Sequence, residues 1–272
     1  MHILLLGYGQ TAQRLAQTLS QSDHQITTIS RSAKDTAFSN HLIQDVAHLD
    51  LSQLAAIDQV YVLLAPAQRS VADYRKTYLD SVAPICRALA SHPVQRIVVV
   101  SSTRVYGEHQ GEQIDDSTPA STTDPYGQIL LDMEHAWRQA YPTQCVILRP
   151  SGIYGRSVQR LTELALKTTQ YRALHWSNRI HIDDLAAFLA HLLHVEQPSA
   201  YYLVSDSRPI AMHEILTWFR TQLGLPPFSY APELTSGKRI FAQRMLDHGF
   251  CLQHPDCFQV YRQLAAESAS VR

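Results

Sequence analysis

The sequence is short of net charge, of lysine and of paired cysteines. Its 23 Lys and Arg nearly balance 24 Asp and Glu, leaving a formal charge of −1 over 272 residues. Without a basic field there is nothing to hold a nucleic-acid backbone, and no run of Lys or Arg marks an anionic membrane surface. No stretch approaches the roughly 20 apolar residues of a membrane span. A signal peptide is not expected, because Ile3-Leu4-Leu5-Leu6 runs straight into a glycine loop and the folded domain starts at Met1. Cys86, Cys145, Cys251 and Cys257 form no CxxC pair; reduced thiols in a cytoplasmic protein fit this usage best. Internal repeats and low-complexity segments are also missing. The 14 histidines invite a metal reading, but His191 and His194 have no carboxylate or third ligand at matching spacing. Asp183 and Asp184, beside His181, read as caps of a following helix. No metal is expected.

Hydrophobic residues are plentiful, at 45%. Through the first 150 residues, short apolar runs alternate with segments of helical period. The runs are His2–Leu6, Gln25–Ile29, Gln59–Leu64, Arg96–Val100 and Cys145–Leu148, separated by helices at Thr11–Ser20, Val71–Ala90 and Tyr126–Ala140. Continuous apolar strands between amphipathic helices predict an α/β fold of Rossmann type, a doubly wound parallel sheet covered on both faces. After Pro150 the rhythm changes. Helices are expected at Ser157–Thr169, Asp183–His194, Met212–Leu223, Phe241–Asp247 and Phe258–Ala266, with strands at Arg179–Ile182 and Tyr201–Val204. The expected organisation is a dinucleotide-binding domain over 1–150, with 178–204 returning to it. A smaller mixed substrate region takes 151–177 and 205–272.

Gly7-Tyr8-Gly9-Gln10-Thr11-Ala12 follows the first strand and opens the first helix. Gly7 permits the tight turn, Gly9 lets a pyrophosphate approach the backbone, and Ala12 lets the helix pack close to the strand. The helix N-terminus offers free N–H groups to phosphates, Gln10 and Thr11 among them. The second strand ends Thr28-Ile29-Ser30-Arg31-Ser32, where a binder of the unphosphorylated dinucleotide would place a carboxylate. Arg31 between the hydroxyls of Ser30 and Ser32 suits a 2′-phosphate through a charge-assisted fork contact. NADP(H) is therefore expected in preference to NAD(H).

From residue 95 onward, segments match a known pattern in order. Ser101-Ser102-Thr103-Arg104-Val105-Tyr106-Gly107, Arg149-Pro150-Ser151-Gly152-Ile153-Tyr154-Gly155 and Arg179-Ile180-His181-Ile182-Asp183-Asp184 resemble the extended short-chain dehydrogenases/reductases, the NAD-dependent epimerase/dehydratase family. Within it the chain is similar to the atypical YeeZ-like subgroup. The resemblance implies an oxidoreductase or epimerase-like protein acting on a small polar or nucleotide-linked carbonyl or alcohol. It also implies cofactor contacts at Asp45 and Val46 near the adenine, at Leu64 and Ala65 after the Gln59–Leu64 strand, and at Pro150 and Ser151. Ser102 would hydrogen-bond the substrate oxygen and Tyr126 would exchange the proton. A small-molecule substrate is the expected partner, with no nucleic acid and no membrane. The family often pairs through its Val71–Ala90 and Tyr126–Ala140 counterparts, which leaves a homodimer open.

The main departure lies four residues after Tyr126. The family's YxxxK lysine, which binds the nicotinamide ribose and lowers the tyrosine pKa, is Leu130 here. A nearby cation shifts an acid's pKa by about 1–3 units, so its loss leaves Tyr126 largely protonated. Such a tyrosine still donates a proton, but serves poorly as a base. None of the four lysines lies near Tyr126 in sequence, and Arg104 is the nearest candidate cation. Thr103 and Arg104 also replace the Asp-Glu pair of sugar-nucleotide dehydratases, which argues against 4,6-dehydration. A non-catalytic NADPH-binding or sensing protein is the alternative.

Overall fold

The computed structural model describes residues 1–270. In chain order the elements begin β1 (His2–Leu6), α1 (Gln10–Leu19), β2 (Gln25–Ser30), β3 (Asn40–Ile43), β4 (Gln59–Val62), α2 (Val71–Tyr74), α3 (Val82–Leu89) and β5 (Arg96–Val100). They continue β6 (Gln110–Asp115), α4 (Pro125–Ala140), β7 (Cys145–Pro150), β8 (Gly152–Tyr154), α5 (Gln159–Lys167), β9 (Gln170–Ser177), β10 (Arg179–His181) and α6 (Ile182–His191). The remainder is β11 (Tyr201–Val204), β12 (Ile210–Ala211), α7 (Met212–Gln222), β13 (Ser229–Phe241), α8 (Gln243–Asp247) and α9 (Cys257–Ser270). Two compact units result. The first comprises Met1–Gly107, Pro119–Arg149 and Leu185–Tyr202, and the second Glu108–Thr118, Pro150–Asp184 and the described residues from Leu203.

The first unit is built on a seven-stranded sheet in the order β11-β7-β5-β4-β1-β2-β3. Each registered pair from β7 through β3 is parallel. Strand order reverses at β1, with β2 on one side and β4 on the other, so a crevice forms at the carboxyl ends of β1 and β4. The apolar runs are consumed here: Ile3 to Leu6, Val60, Tyr61 and Ile97 to Val99 are at most 1% exposed. Behind the end of β5 lies a charged exception. Glu134 of α4 and Arg149 of β7 are buried together, with Arg149 Nη2 donating to Glu134 Oε2 at 2.6 Å. Ser101 donates to Glu134 Oε1 at 2.6 Å, and Arg149 Nη1 to the Tyr106 hydroxyl at 2.8 Å. Burial pulls the guanidinium pKa down, but hydrogen bonding and charge from Glu134, with Tyr106, outweigh it and hold the group above its ordinary value.

The second unit carries a four-stranded sheet, β12-β9-β13-β6, and the parallel pair β10-β8. Val158, Ala165, Ile215, Leu216, Phe219, Cys257 and Tyr261 form its core, contributed by α5, α7 and α9 and the turn before α5. Asp206, only 5% exposed, has an Oδ2 with no hydrogen-bond partner. Burial pushes its carboxyl up to about 6, against the pull of the Arg208 N–H and the Arg179 guanidinium.

Several expectations need correction. The helix foreseen over Val71–Ala90 is interrupted: a π turn occupies Arg75–Leu79 between α2 and α3. Pro84 supplies the reason, since it cannot donate to the Asp80 carbonyl and its ring would crowd that group in an unbroken α-helix. Strand β10 ends at His181, and α6 starts at Ile182, so Asp183 and Asp184 lie inside its first turn rather than before it. β6 and β13 carried no usable period, and through β6 the segment Glu108–Thr118 joins the second unit, which the expected boundaries missed. The return to the first unit starts at Leu185, not 178. No helix among the described residues is long and apolar enough to cross a membrane.

Two stability outcomes are expected. Glu134→Gln strands a buried guanidinium and should lower unfolding free energy by about 3–5 kcal/mol in urea titrations; a loss below about 1 kcal/mol would contradict the pair's role. Asp206 has a folded pKa raised above its unfolded value of 3.8, so its contribution is complete at acid pH. That contribution is lost as pH rises from about 4 through about 6, by up to about 3 kcal/mol. Comparing wild type with Asp206→Asn across pH 4–7 should show the variant gaining relative stability over that window; parallel curves would refute it.

Candidate functional site

The glycine loop is fixed by backbone geometry. Gly7 has φ +92°, and a Cβ there would stand 2.5 Å from the Leu63 carbonyl oxygen, so β1 and the chain after β4 approach too closely for any side chain. At Gly9, by contrast, a Cβ would meet nothing within 4 Å. Gly9 is the N-cap of α1, no side chain caps that end, and its first turn holds no acid. Ala12, 1% exposed, packs inward. The space over Gly9 is open and no side chain caps the helix start, which leaves its first amides available to an anion.

A cleft of about 350 Å³ opens over this loop. Of the residues expected to meet a cofactor, Gly7, Gly9, Ser30, Arg31, Ser32, Asp45, Val46, Leu64 and Ala65 line it. Gln10 is exposed and Thr11 half-buried at the start of α1, outside that lining. Pro150 and Ser151 belong to the second unit, where the buried Ser151 hydroxyl lies 3.1 Å from Ser205 Oγ and 3.3 Å from the Val204 carbonyl. The serines flanking Arg31 are not two equivalent ligands. Ser30 donates to the Ser32 carbonyl at 2.8 Å, and His41 of β3 reaches Thr28 Oγ1, Ser30 Oγ and the Ser32 carbonyl. This network shapes the loop that carries Arg31.

Other lining residues were not foreseen. Lys34 stands three residues after Arg31, a spacing that could have flagged it. Asp73, Lys76, Thr77, Asp80 and Ser81 come from α2, the π turn and the residues after it. Their presentation depends on the π turn, which the helical pattern hid.

At the end of β5, Ser102 is the N-cap of a 3-10 turn over Thr103–Val105, its Oγ accepting from the Arg104 N–H at 3.2 Å. Asp124 caps α4 through the Gly127 N–H at 2.9 Å, with Pro125 in the first helical turn. The same carboxylate receives Arg104 Nε at 2.5 Å and Nη2 at 3.2 Å. A Cβ on Gly127 would lie 2.6 Å from the Arg104 carbonyl oxygen, so this glycine lets α4 dock against the turn. The Arg104 guanidinium then sits 4.3 Å from the centre of the Tyr126 ring. Tyr74 packs edge-on against Tyr126 at 4.8 Å, and the Tyr126 hydroxyl donates to the Arg69 carbonyl at 3.2 Å. Burial would raise the Asp124 pKa, but the Arg104 and Gly127 hydrogen bonds hold it below the usual carboxylate range. Arg104 thus contacts Ser102 through its backbone N–H and Tyr126 through its guanidinium. Leu130, in the lysine position, is 1% exposed and part of the apolar core.

A doubly wound sheet with a glycine turn at its switch point defines a dinucleotide-binding protein of Rossmann type. The model of the NAD dependent epimerase/dehydratase family matches residues 3–202, and the chain belongs to that family. It is 27% identical to Protein YeeZ of Escherichia coli K12 over 269 residues, covering 93% of this chain and 96% of that one. A Methylobacillus flagellatus structure described as an NAD-dependent epimerase/dehydratase superposes with a TM-score of 0.83 at 30% identity, covering 98% of each chain. The human epimerase family protein SDR39U1, solved with NADPH, gives 0.78 at 19% identity, covering 98% of this chain and 99% of that one.

Gly7→Ala is expected to abolish dinucleotide binding, since it forces both a left-handed backbone and a clash with the Leu63 carbonyl. Fluorescence titration of a folded variant checks this; retained affinity would mean that the loop is not the phosphate site.

Proposed function

We propose that this chain is an NADP(H)-binding oxidoreductase or epimerase-like protein with an atypical active site, acting on a small polar or nucleotide-linked carbonyl. The observation that carries the cofactor preference is the cleft wall after β2, where Arg31 and Lys34 stand and the first carboxylate after the strand, Asp35, lies outside the lining. A 2′-phosphate would be met there by two cations, and a ribose 2′-hydroxyl would lack its usual acceptor. Asp45 and Val46 would meet the adenine, and Leu64 and Ala65 the middle of the dinucleotide. The Gly7 turn, the open space over Gly9 and the uncapped start of α1 fit a pyrophosphate.

When bound, a nicotinamide dinucleotide supplies or accepts a hydride. The protein's part is to position the substrate oxygen and move a proton. Ser102 uses its oxygen to accept from the Arg104 N–H, which leaves its hydroxyl hydrogen to donate to a substrate oxygen. Tyr126 donates the proton. Arg104 offers it a cation across the ring face rather than at the hydroxyl, and Asp124 shares that charge. This arrangement supports proton donation, hence reduction, more than alcohol oxidation, which needs a tyrosinate.

Leu130 buried in the core and the Tyr126 hydroxyl held by the Arg69 carbonyl favour a second reading, a non-catalytic NADPH-binding or sensing protein. A small-molecule ligand, without nucleic acid or membrane, belongs to both readings, and a homodimer is compatible with either.

Fluorescence titration should give tighter binding of NADPH than NADH, with Arg31→Ala losing about 10–100-fold for NADPH and little for NADH. Equal or NADH-favouring affinity would overturn the preference. In an NADPH-consumption screen over carbonyl compounds, Tyr126→Phe should cut turnover by about 10²–10⁴-fold. Unchanged turnover would remove Tyr126 from the mechanism, and activity appearing only in Leu130→Lys would favour the binding protein.

A further inference from the structure

His41 of β3 stands opposite Thr28 of β2 in the parallel register and does not itself line the cleft. Its Nδ1 lies 2.8 Å from Thr28 Oγ1, and its Nε2 lies 3.2 Å from Ser30 Oγ and 3.1 Å from the Ser32 carbonyl oxygen. One imidazole therefore ties the interior of β2 to the loop that carries Arg31. The ring is half-buried, with the fully buried Thr28 behind it. The Tyr8 ring of the glycine loop, 4% exposed, meets it at 5.5 Å and a tilt of 39°.

The chemistry of these atoms fixes where the hydrogens go. A carbonyl oxygen only accepts, so the hydrogen between His41 Nε2 and Ser32 belongs to the imidazole. Ser30 donates its own hydroxyl hydrogen to the same carbonyl at 2.8 Å. In the neutral ring the lone pair is then on Nδ1, where the Thr28 hydroxyl donates. Ser39 Oγ, 3.1 Å from Thr28 Oγ1, supplies the donor for the threonine oxygen, and the Ser39 carbonyl is held by Thr36 Oγ1 at 2.7 Å. Hydrogens run one way through the network, from Ser39 to Thr28 to His41 to Ser32.

This direction has a consequence at the cleft wall. The Ser32 carbonyl receives two donors, which fills both its lone pairs. Ser30 has spent its hydrogen, and its oxygen faces the His41 N–H. The acceptors that these two serines could offer a ligand are engaged from behind. The side chains left exposed on the cleft there, those of Arg31, Ser32 and Lys34, all carry donors. A ribose 2′-hydroxyl needs an acceptor for its proton, whereas a 2′-phosphate dianion brings only acceptors and gains most from cationic donors.

We propose that His41 is a positioning residue for dinucleotide selection. By holding the Ser32 carbonyl and the Ser30 hydroxyl, it turns the loop after β2 into a surface of donors that takes a 2′-phosphate in preference to a ribose 2′-hydroxyl. It acts through Ser30, Ser32 and the backbone that carries Arg31. The inference rests on the NADP(H) reading above and adds the residue that enforces it. Sequence spacing concealed this role, because His41 reaches the loop only through the pairing of β3 with β2.

The test measures NADPH and NADH dissociation constants of the full chain by fluorescence titration and reads their ratio. A glutamine places its amide nitrogen near the imidazole Nε2 position, whereas an asparagine reaches only as far as Nδ1. His41→Ala and His41→Asn should weaken NADPH binding by about tenfold, with NADH changed less than about twofold, and His41→Gln should keep the wild-type ratio. Equal losses for both dinucleotides would make His41 a purely structural residue and overturn the proposal. An unchanged ratio in His41→Ala, or a lost one in His41→Gln, does the same. A wild-type chain with no preference for NADPH overturns the NADP(H) reading and this proposal with it. A preference abolished by Arg31→Ala but untouched by His41→Asn overturns the role of His41 alone. If the variants do not fold, the wild-type chain decides: long-range proton–nitrogen NMR spectra in mildly alkaline buffer should show His41 protonated on Nε2 only, and the Nδ1–H tautomer refutes the assignment.

Discussion

Glu134 and Arg149 form an ion pair out of reach of bulk water, and the geometry at the end of β5 hangs on it. Removing two charges from water costs several kcal/mol per ion, recovered only if nearly every lone pair and proton finds a partner. Here they do. Glu134 takes the Arg149 fork and the Ser101 hydroxyl, and Arg149 also reaches Tyr106 and stacks over the Tyr201 ring at 4.6 Å. The pair joins α4, β5 and β7 at one point. Ser101 is next to Ser102, and Glu134 lies two turns along α4 from Tyr126, so one buried contact sets the positions of both residues at the candidate centre.

Around that candidate centre, the cation beside Tyr126 lies in a different direction from the one the family's tyrosine–lysine pattern would give. A lysine one turn along the helix would approach the tyrosine from within α4. Arg104 instead comes from the strand-end turn and lies over the aromatic face, where the ring quadrupole attracts it by about 0.5–2 kcal/mol. Its own charge is committed to Asp124, which also caps the helix. The result is a tyrosine packed among Tyr74 and Arg104 and hydrogen-bonded to Arg69.

The sheet strands were legible because burial on both faces demands unbroken apolar runs, and the glycine turn because only glycine fits beside the Leu63 carbonyl. Arg31 is marked by its place after β2, and Leu130 only through the resemblance to the family's YxxxK pattern; the fold puts the first on the cleft and the second in the core. What could not be read is whatever the second unit assembles from distant pieces. β13 alternates poorly, carries Pro232 and is largely exposed, and its pairing with β9 shifts register between Tyr230 and Leu234. Asp184 looked like a helix cap because an acid near a helix start usually is one; its partners lie 69 and 70 residues away. Ser30 looked like a phosphate ligand, yet its hydroxyl bonds the Ser32 carbonyl and His41, a contact invisible without the β2–β3 pairing.

The π turn at Arg75–Leu79 has an effect on azimuth. An α-helix advances about 100° per residue, and one turn with an extra residue rotates all that follows by that angle relative to an unbroken helix. Asp73, Lys76, Thr77 and Asp80 line the cleft, while Val82, Ile85 and Leu89 beyond the π turn are buried. What reads in sequence as one amphipathic stripe is two stripes on different bearings, joined by a twist. The two halves answer to different constraints, so the cleft-facing half can vary in chemistry while the half beneath it keeps its packing.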